Sequence, residues 1–399
     1  MSPPFDLTAT LTAVRQSSTH LQSAEQCSDA LTAMGKAISQ SQDDILEANT
    51  LDLEISRDMA VPELVVDWLK LTPGRVQTAA RIFHRLAVAS ESIASTRDDC
   101  HTRPVGLVAF IYEAFPDLGA IAAALCIRTG NALILRGGDE ASRTNQIIAD
   151  ILQKTLTEVG LPENLICRLE PTDVSRLEIA QCPDIDLIIP HGRPSLVEQV
   201  VQVASVPTVP SRMGNCYLYW SASGNLDKVY KMIVGSHTGT PDAVNRIEKV
   251  LLHETISENT ITRLLNRLQE DGFAIKADSA LNLSQENVEE AKPLDWGSAY
   301  LKRTIAFRQV KNAADAISWI NTHSSRHADS IATADYAESR LFISKCKSAA
   351  VYINTCPQFV RDASRTADIA IGISDRKGRT GGLIGLSQLR EYQRIVHEE

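Results

Sequence analysis

The cysteines and histidines of this chain have the widest chemical reach, and their spacing limits what they can do. Eight cysteines stand at positions 27, 100, 126, 167, 182, 216, 346 and 356. A thiol becomes a useful nucleophile or ligand only where its surroundings favour the thiolate or a second donor stands nearby. No pair follows the Cys-x-x-Cys spacing of a zinc or redox site. In a chain of 399 residues they do not make a dense disulfide framework either, so buried thiols in a reducing compartment are expected. The nine histidines are scattered, with no His-Glu-x-x-His, and indicate no metal site. Neither a Gly-x-Ser-x-Gly elbow nor a Gly-x-Gly-x-x-Gly after a strand is present. GISDRKGRT, which starts at Gly372, has phosphate-loop character, but its glycines are one residue too far apart and Arg379 replaces the lysine, so it reads as a turn. Three apolar runs end in residues suited to a strand-end site: Tyr112–Glu113, Arg136–Gly137–Gly138 and His191–Gly192–Arg193. Glycine there lets backbone approach a ligand closely. A plain strand-to-helix turn, with Arg136 as a solvated charge, accounts for the same residues equally well.

The elements that must position these residues follow from hydrophobic spacing. The first hundred residues carry apolar side chains at three- and four-residue intervals and read as helices, in SAEQCSDALTAMGKAISQ and again in WLKLTPGRVQTAARIFHRLAVA. SESIASTRDDCHTRP is short and polar and reads as a linker or small hairpin. From Val105 onward, short β-rich runs (VGLVAFIYEA, NALILRG, ENLICRLE, IDLIIP, NCYLYW) alternate with helical patterns. Strands that are apolar throughout imply a parallel sheet covered on both faces. A second α/β series begins after Asn225, which places a domain boundary near residue 222. Composition is that of a globular protein, 44% hydrophobic and 22% charged. Forty basic against forty-nine acidic residues, a net charge of −9, argue against general binding of nucleic acid or anionic lipid. The N-terminal stretch has no signal or transit pattern, and no apolar run is long enough to span a bilayer, so a soluble cytoplasmic protein is expected.

The segment PVGLVAFIYEAFPDLGAIAAALCIRTGNALILRGGDEASRTN resembles the γ-glutamyl phosphate reductase family, also called glutamate-5-semialdehyde dehydrogenase, of the aldehyde dehydrogenase superfamily. The similarity continues in order through DWLKLTPGR, IDLIIP, GNCYLYW, EKVLLHE, AAVYIN and GLIGLSQLREYQ. It implies an α/β aldehyde-dehydrogenase-like fold. The expected layout is N-terminal helices and a Rossmann-like cofactor domain over 1–221, a catalytic-type α/β domain over 222–357, and a return to the cofactor domain with a shortened tail over 358–399. The implied reaction is NADPH-dependent reduction of L-glutamyl 5-phosphate to L-glutamate 5-semialdehyde in proline synthesis. That chemistry needs a cysteine thiolate to form a thioester, donors to the oxyanion, and hydride from the cofactor.

Carried over residue by residue, the resemblance makes Arg136, Gly137, Gly138 and Gly192 the candidate cofactor-binding residues for NADP. Its Arg-Gly-Gly is His191, Gly192 and Arg193 here, so a side chain stands in place of one glycine. The departures on the catalytic side are larger. TPDAVNRIEKVLLHE aligns Val244 with the nucleophilic cysteine and keeps the neighbouring Asn245. Arg-Pro-Asn becomes Phe115, Pro116 and Asp117, which puts a carboxylate at an oxyanion position. Ser211 and Arg212 replace glycines before Cys216, and a late glycine loop becomes Ser364, Arg365, Thr366, Ala367 and Asp368. No catalytic residue of the family is intact at these positions. Cys126 and Cys216 are expected in the core, and Cys356 is the remaining alternative thiol. The oligomerisation hairpin and C-terminal strand look reduced, which leaves homo-oligomerisation open. Two functions stay in view: a working reductase, and a silent relative that binds a nucleotide, a glutamate-derived small molecule or a partner protein.

Overall fold

The computed structural model describes residues 5–21, 23–89, 95–97, 100–239, 241–281, 287–378 and 381–396. The helical start forms as its spacing implies. Helix Ala24–Gln40 opens with a reciprocal cap in which Ser23 Oγ accepts from Gln26 N and Gln26 Oε1 accepts from Ser23 N, both at 3.1 Å. Cys27, Ala30, Leu31, Met34 and Ile38 make its buried stripe. Helix Pro73–Ala87, its main packing neighbour, starts with Thr72 as cap and proline in the first turn, where a missing N–H costs nothing.

Within the polar stretch before Val105, β1 (Ser95–Arg97) pairs antiparallel with β2 (Cys100–Pro104). A parallel sheet follows, built from β3 (Leu107–Tyr112), β4 (Ala132–Arg136), β5 (Ile166–Arg168) and β6 (Leu187–His191), in the order β5-β4-β3-β6. Every residue of β3, β4 and β6 is buried, which is why these runs are apolar throughout. Between β3 and β4, helix Pro116–Thr129 ends at Gly130, whose φ of +77° is the left-handed cap that glycine adopts freely. A seven-stranded parallel sheet comprises β7 (Cys216–Trp220), β8 (Ile247–His253), β9 (Ala274–Ala277), β10 (Val288–Glu290), β11 (Thr304–Val310), β12 (Ala328–Ala332) and β13 (Ala350–Ile353). Its order is β10-β9-β11-β8-β7-β12-β13. The short β14 (Ala370–Ile373) and β15 (Leu383–Gly385) pair with each other, and β16 (Arg390–Arg394) adds to β2.

The chain divides into two units: residues 1–211, 361–371 and 383–399 in the first, and 212–360 and 372–382 in the second. The expected boundary near 222 moves back by about one strand. NCYLYW pairs with β8 and β12 and so belongs to the second sheet. Nothing in a uniformly apolar run specifies which of two sheets it joins. The return is also interrupted, because residues 372–382 go with the second unit. The tail beyond the late glycine-poor loop does form a strand, β16, so β1, β2 and β16 make a three-stranded antiparallel sheet. No helix among the described residues is long and apolar enough to cross a membrane.

Candidate active site

In the first unit the three strand-end turns lie at the carboxyl edge of the parallel sheet, and each is held by a neighbour. Arg136 ends β4, yet it is only 5% exposed. Its Nε donates to the Val174 carbonyl at 3.1 Å, its Nη1 donates to the Gly137 carbonyl, and Asp139 lies 3.7 Å away. Burial, with Arg176 nearby, lowers its pKa. A Cβ on Gly137 would collide with the Asn145 amide, so that turn requires glycine for packing. Glu140 reaches back to accept from Ala114 N at 2.7 Å, and burial raises its pKa. After β6, Gly192 has a φ of +149°, and a Cβ there would fall 2.9 Å from that of Glu113. The Glu113 carboxylate accepts from Arg193 N at 2.9 Å, Nε at 3.0 Å and Nη2 at 2.5 Å.

The positions of this unit at which the resemblance implies a departure are each held by neighbours, and Phe115, His191 and Ser211 touch in a row. Asp117 is in the first turn of helix Pro116–Thr129 and accepts from Arg75 Nε at 3.0 Å and from Arg75 Nη2. Arg75 also donates to the carbonyls of Trp68 at 3.0 Å and Lys70 at 2.6 Å. The carboxylate expected to repel an oxyanion is therefore neutralised by a guanidinium. Phe115 stacks on Trp68 with centroids 4.8 Å apart and meets His191 edge-on at 5.0 Å. His191 Nδ1 lies 2.8 Å from Ser211 Oγ. The late loop is held within the same unit: Asp362 accepts from Arg81 at 2.6 Å and from Arg85, and the Ser364 carbonyl accepts from Arg85 at 2.7 Å.

In the second unit Val244 is fully buried at the end of a tight loop in which Ala243 has a φ of +37°. The Val244 carbonyl accepts from Gly214 N and His327 Nε2, both at 3.0 Å. Asn245 Nδ2 donates to the Pro357 carbonyl at 2.7 Å and to Tyr352 Oη at 3.2 Å. Beneath the loop the buried Glu248 carboxylate accepts from Asn215 N and Tyr300 N at 2.8 Å and from Leu301 N at 2.7 Å. Lys249 lies 3.6 Å from it and 3.6 Å above the Tyr300 ring, and burial lowers its pKa to about 8. Arg212 pairs with Asp375 at 3.3 Å.

No described thiol is set up as a nucleophile. Cys216 Sγ lies 3.3 Å from His327 Nε2, and His327 Nδ1 faces Ser325 Oγ at 2.9 Å. That row resembles an activated nucleophile, but its protonation is wrong. Burial, with Asp329 and Glu248 nearby, pushes the Cys216 thiol well up, while burial pushes His327 down to about 4. Near neutral pH the pair is thiol and neutral imidazole, and since a carbonyl can only accept, Nε2 carries the proton that Val244 receives. Cys126 is 1% exposed within its helix. Cys356 is half-buried with its thiol pKa raised by burial, and its sulfur occupies the space where a Cβ on Gly235 would go. Among the described residues no group of three or more His, Cys, Asp or Glu side chains is placed to hold a metal ion.

The second unit thus presents a braced backbone loop with the hydrocarbon side chain of Val244 buried in it. The sequence reading missed the bracing partners: Arg75 for Asp117, Trp68 for Phe115, Ser211 for His191, and His327 for residue 244. A buried cation or imidazole with no neighbour in sequence to satisfy it is the only trace such partners leave. Residues 9–281 match the model of the aldehyde dehydrogenase family. The chain is 41% identical over 385 residues to a protein of Synechocystis sp. named γ-glutamyl phosphate reductase 2, covering 93% of this chain and 92% of that one. It is 33% identical over 379 residues to the γ-glutamyl phosphate reductase of Gloeobacter violaceus, covering 92% and 90%. The crystal structure of γ-glutamyl phosphate reductase from Thermotoga maritima superposes with a TM-score of 0.86 at 28% identity, covering 99% of each chain.

Proposed function

Since this chain belongs to the γ-glutamyl phosphate reductase family of the aldehyde dehydrogenases, we propose that it is a catalytically silent member, retained for binding rather than turnover. The reaction attached to the relatives' name is reduction of L-glutamyl 5-phosphate to L-glutamate 5-semialdehyde with NADPH, a step of proline biosynthesis. Val244 carries the reading. It stands in the register of the nucleophile, it is fully buried, and its side chain has no lone pair with which to attack an acyl phosphate. Loss of a nucleophile costs on the order of 10⁶ in rate. Cys216, the one described thiol tied to this loop through an imidazole, is held protonated by its burial.

NADP is the cofactor that goes with the family, and Arg136 with the Gly137–Gly138 turn is the place we assign to it. The fit is partial: Arg136 is tied to two carbonyls, and Arg193 fills the turn after β6. Weak nucleotide binding follows. A glutamate-derived small molecule and a protein partner in the cytoplasm complete the ligand classes of this reading. The competing reading, a working proline-pathway reductase, is favoured by 41% identity across 93% of the chain. The reverse reaction separates the two. Purified protein receives glutamate 5-semialdehyde, phosphate and NADP⁺, and NADPH absorbance is followed. The silent reading expects no turnover above background, and a rate of about 1 s⁻¹ or more, within the usual enzyme range, overturns it.

A further inference from the structure

The strand order β5-β4-β3-β6 contains one reversal of winding. The chain runs from β3 through β4 to β5 in one direction, then places β6 on the other side of β3. In open parallel sheets a dinucleotide lies beyond the carboxyl ends of the strands at such a reversal, with its diphosphate against backbone amides at a helix N-terminus. The place to look is therefore the gap between the turns that follow β3 and β6.

The chain's own groups meet at that gap, across which the Arg193 side chain, 42% exposed, reaches Glu113. The amide of Arg193, at the mouth of helix Pro194–Val203, already donates to the Glu113 carboxylate at 2.9 Å, and the Arg193 guanidinium closes on the same carboxylate at 2.5 Å. The amide of Ala114, in the turn after β3, is taken by Glu140 at 2.7 Å. Two carboxylates thus already occupy the two turn amides to which a diphosphate would have to bind. Beside them Trp68, Phe115, His191 and Ser211 form a continuous row of contacts, with Phe115 and Ser211 at 1% exposure and His191 at 0%. The row and the ion pair join at β6, where His191 and Arg193 flank Gly192.

We infer that this interlocked set is a plug that keeps nicotinamide dinucleotides out of the reversal crevice, with Arg193 and its hold on Glu113 as the excluding contact. The inference rests on the silent reading above and gives its weak nucleotide binding a named cause. It also separates two senses of silence: Val244 removes the chemistry, and the plug removes the hydride carrier.

The experiment is a titration of the full chain with NADPH, followed by nucleotide fluorescence and by calorimetry. The wild-type protein is compared with Arg193→Gly and with the milder Arg193→Ser, each checked for a cooperative unfolding transition. The wild-type protein is expected not to saturate at about 1 mM, and opening the contact is expected to tighten binding at least about tenfold. A wild-type dissociation constant below about 0.1 mM overturns the plug without any variant. Folded variants that bind no better than the wild-type protein also overturn it, because Arg193 is then not what excludes the nucleotide. The silent reading fails on a different measurement, turnover in the reverse reaction, so a silent protein that binds NADPH tightly sinks the plug alone.

Discussion

In the register that the resemblance implies, the two units depart from the family in different ways. In the first, the altered positions have found each other or found new partners: Asp117 meets Arg75, and Phe115 meets His191, which meets Ser211. In the second, Arg212 pairs with Asp375, while the buried side chain of Val244 makes no polar contact. Gly214 and His327 hold the carbonyl of that residue, Asn245 ties the loop to Pro357, and Glu248 collects three amides beneath it. A set of mutually satisfied changes is a rebuilt core, costly to revert one residue at a time. A lone hydrocarbon in an otherwise braced loop is a deletion of chemistry with little structural consequence. Stability measurements on single reversions test that contrast directly.

The largest effect is expected at Phe115. Phe115→Arg introduces the residue that the resemblance implies for the family and places a guanidinium between Trp68 and His191 in a site that is 1% exposed. Losing a buried phenyl ring alone costs about 3–5 kcal/mol, and burying a charge adds to it. Urea unfolding of Phe115→Arg should therefore show a loss of at least about 3 kcal/mol. A loss under about 1 kcal/mol would mean that the row of contacts is not a cooperative core. Asp117→Asn comes next. It leaves Arg75 with carbonyl partners at Trp68 and Lys70 but no counter-charge, a loss of about 2–3 kcal/mol by the same measurement.

These partnerships also mark the limit of what the sequence made legible. The alternation of apolar runs and helical patterns was enough to read two α/β series, and each strand of the first sheet lies where its run of branched apolar residues stands. In the register that the resemblance implies, Val244 stands at the nucleophile position, a reading that needs no coordinates. Contacts between distant positions left no such trace. Asp117 and Arg75 are 42 residues apart, and His191 and Ser211 are 20 apart, so each polar residue looked like an isolated defect until its partner was placed beside it. For the same reason NCYLYW could be recognised as a strand but not assigned to its sheet.

A smaller effect sharpens the contrast from the side of the second unit. His327 and His237 are buried neutral, with folded pKa values pushed down to about 4 from the ordinary 6.5. For a depressed pKa, stability is fully present above the unfolded value and is lost as pH falls toward the folded one, so the window runs from 6.5 to 4. Asp329 opposes this. Burial raises its pKa to about 6 from 3.8, and the cost of its buried charge is relieved as pH falls through that range. Between pH 7 and pH 5 each histidine should remove about 2 kcal/mol and Asp329 should return about 1.4 kcal/mol. Unfolding free energies of His327→Gln should thus fall about 2 kcal/mol less over that interval than those of the wild-type protein. Equal losses in both proteins would show that His327 is not the neutral brace of the residue-244 loop.

The smallest effect belongs to Val244→Cys, and it separates structure from chemistry most cleanly. The side chain sits in a fully buried space with its backbone already held by Gly214 and His327, so exchanging one small apolar group for another should change stability by less than about 1 kcal/mol. A loss of several kcal/mol would mean that the loop has been repacked around valine, and the second unit would then resemble the first. Activity should not return with the sulfur. The new thiol would enter the same burial that holds Cys216 protonated, and Phe115, His191 and Arg193 would be unchanged. Reverse-reaction turnover by Val244→Cys within tenfold of about 1 s⁻¹ would show that a single missing atom, not the rebuilt first unit, is what silences the protein. If instead turnover appears only when Arg193→Gly is added to Val244→Cys, then the two units were disabled separately, one by losing a nucleophile and the other by closing over its own crevice.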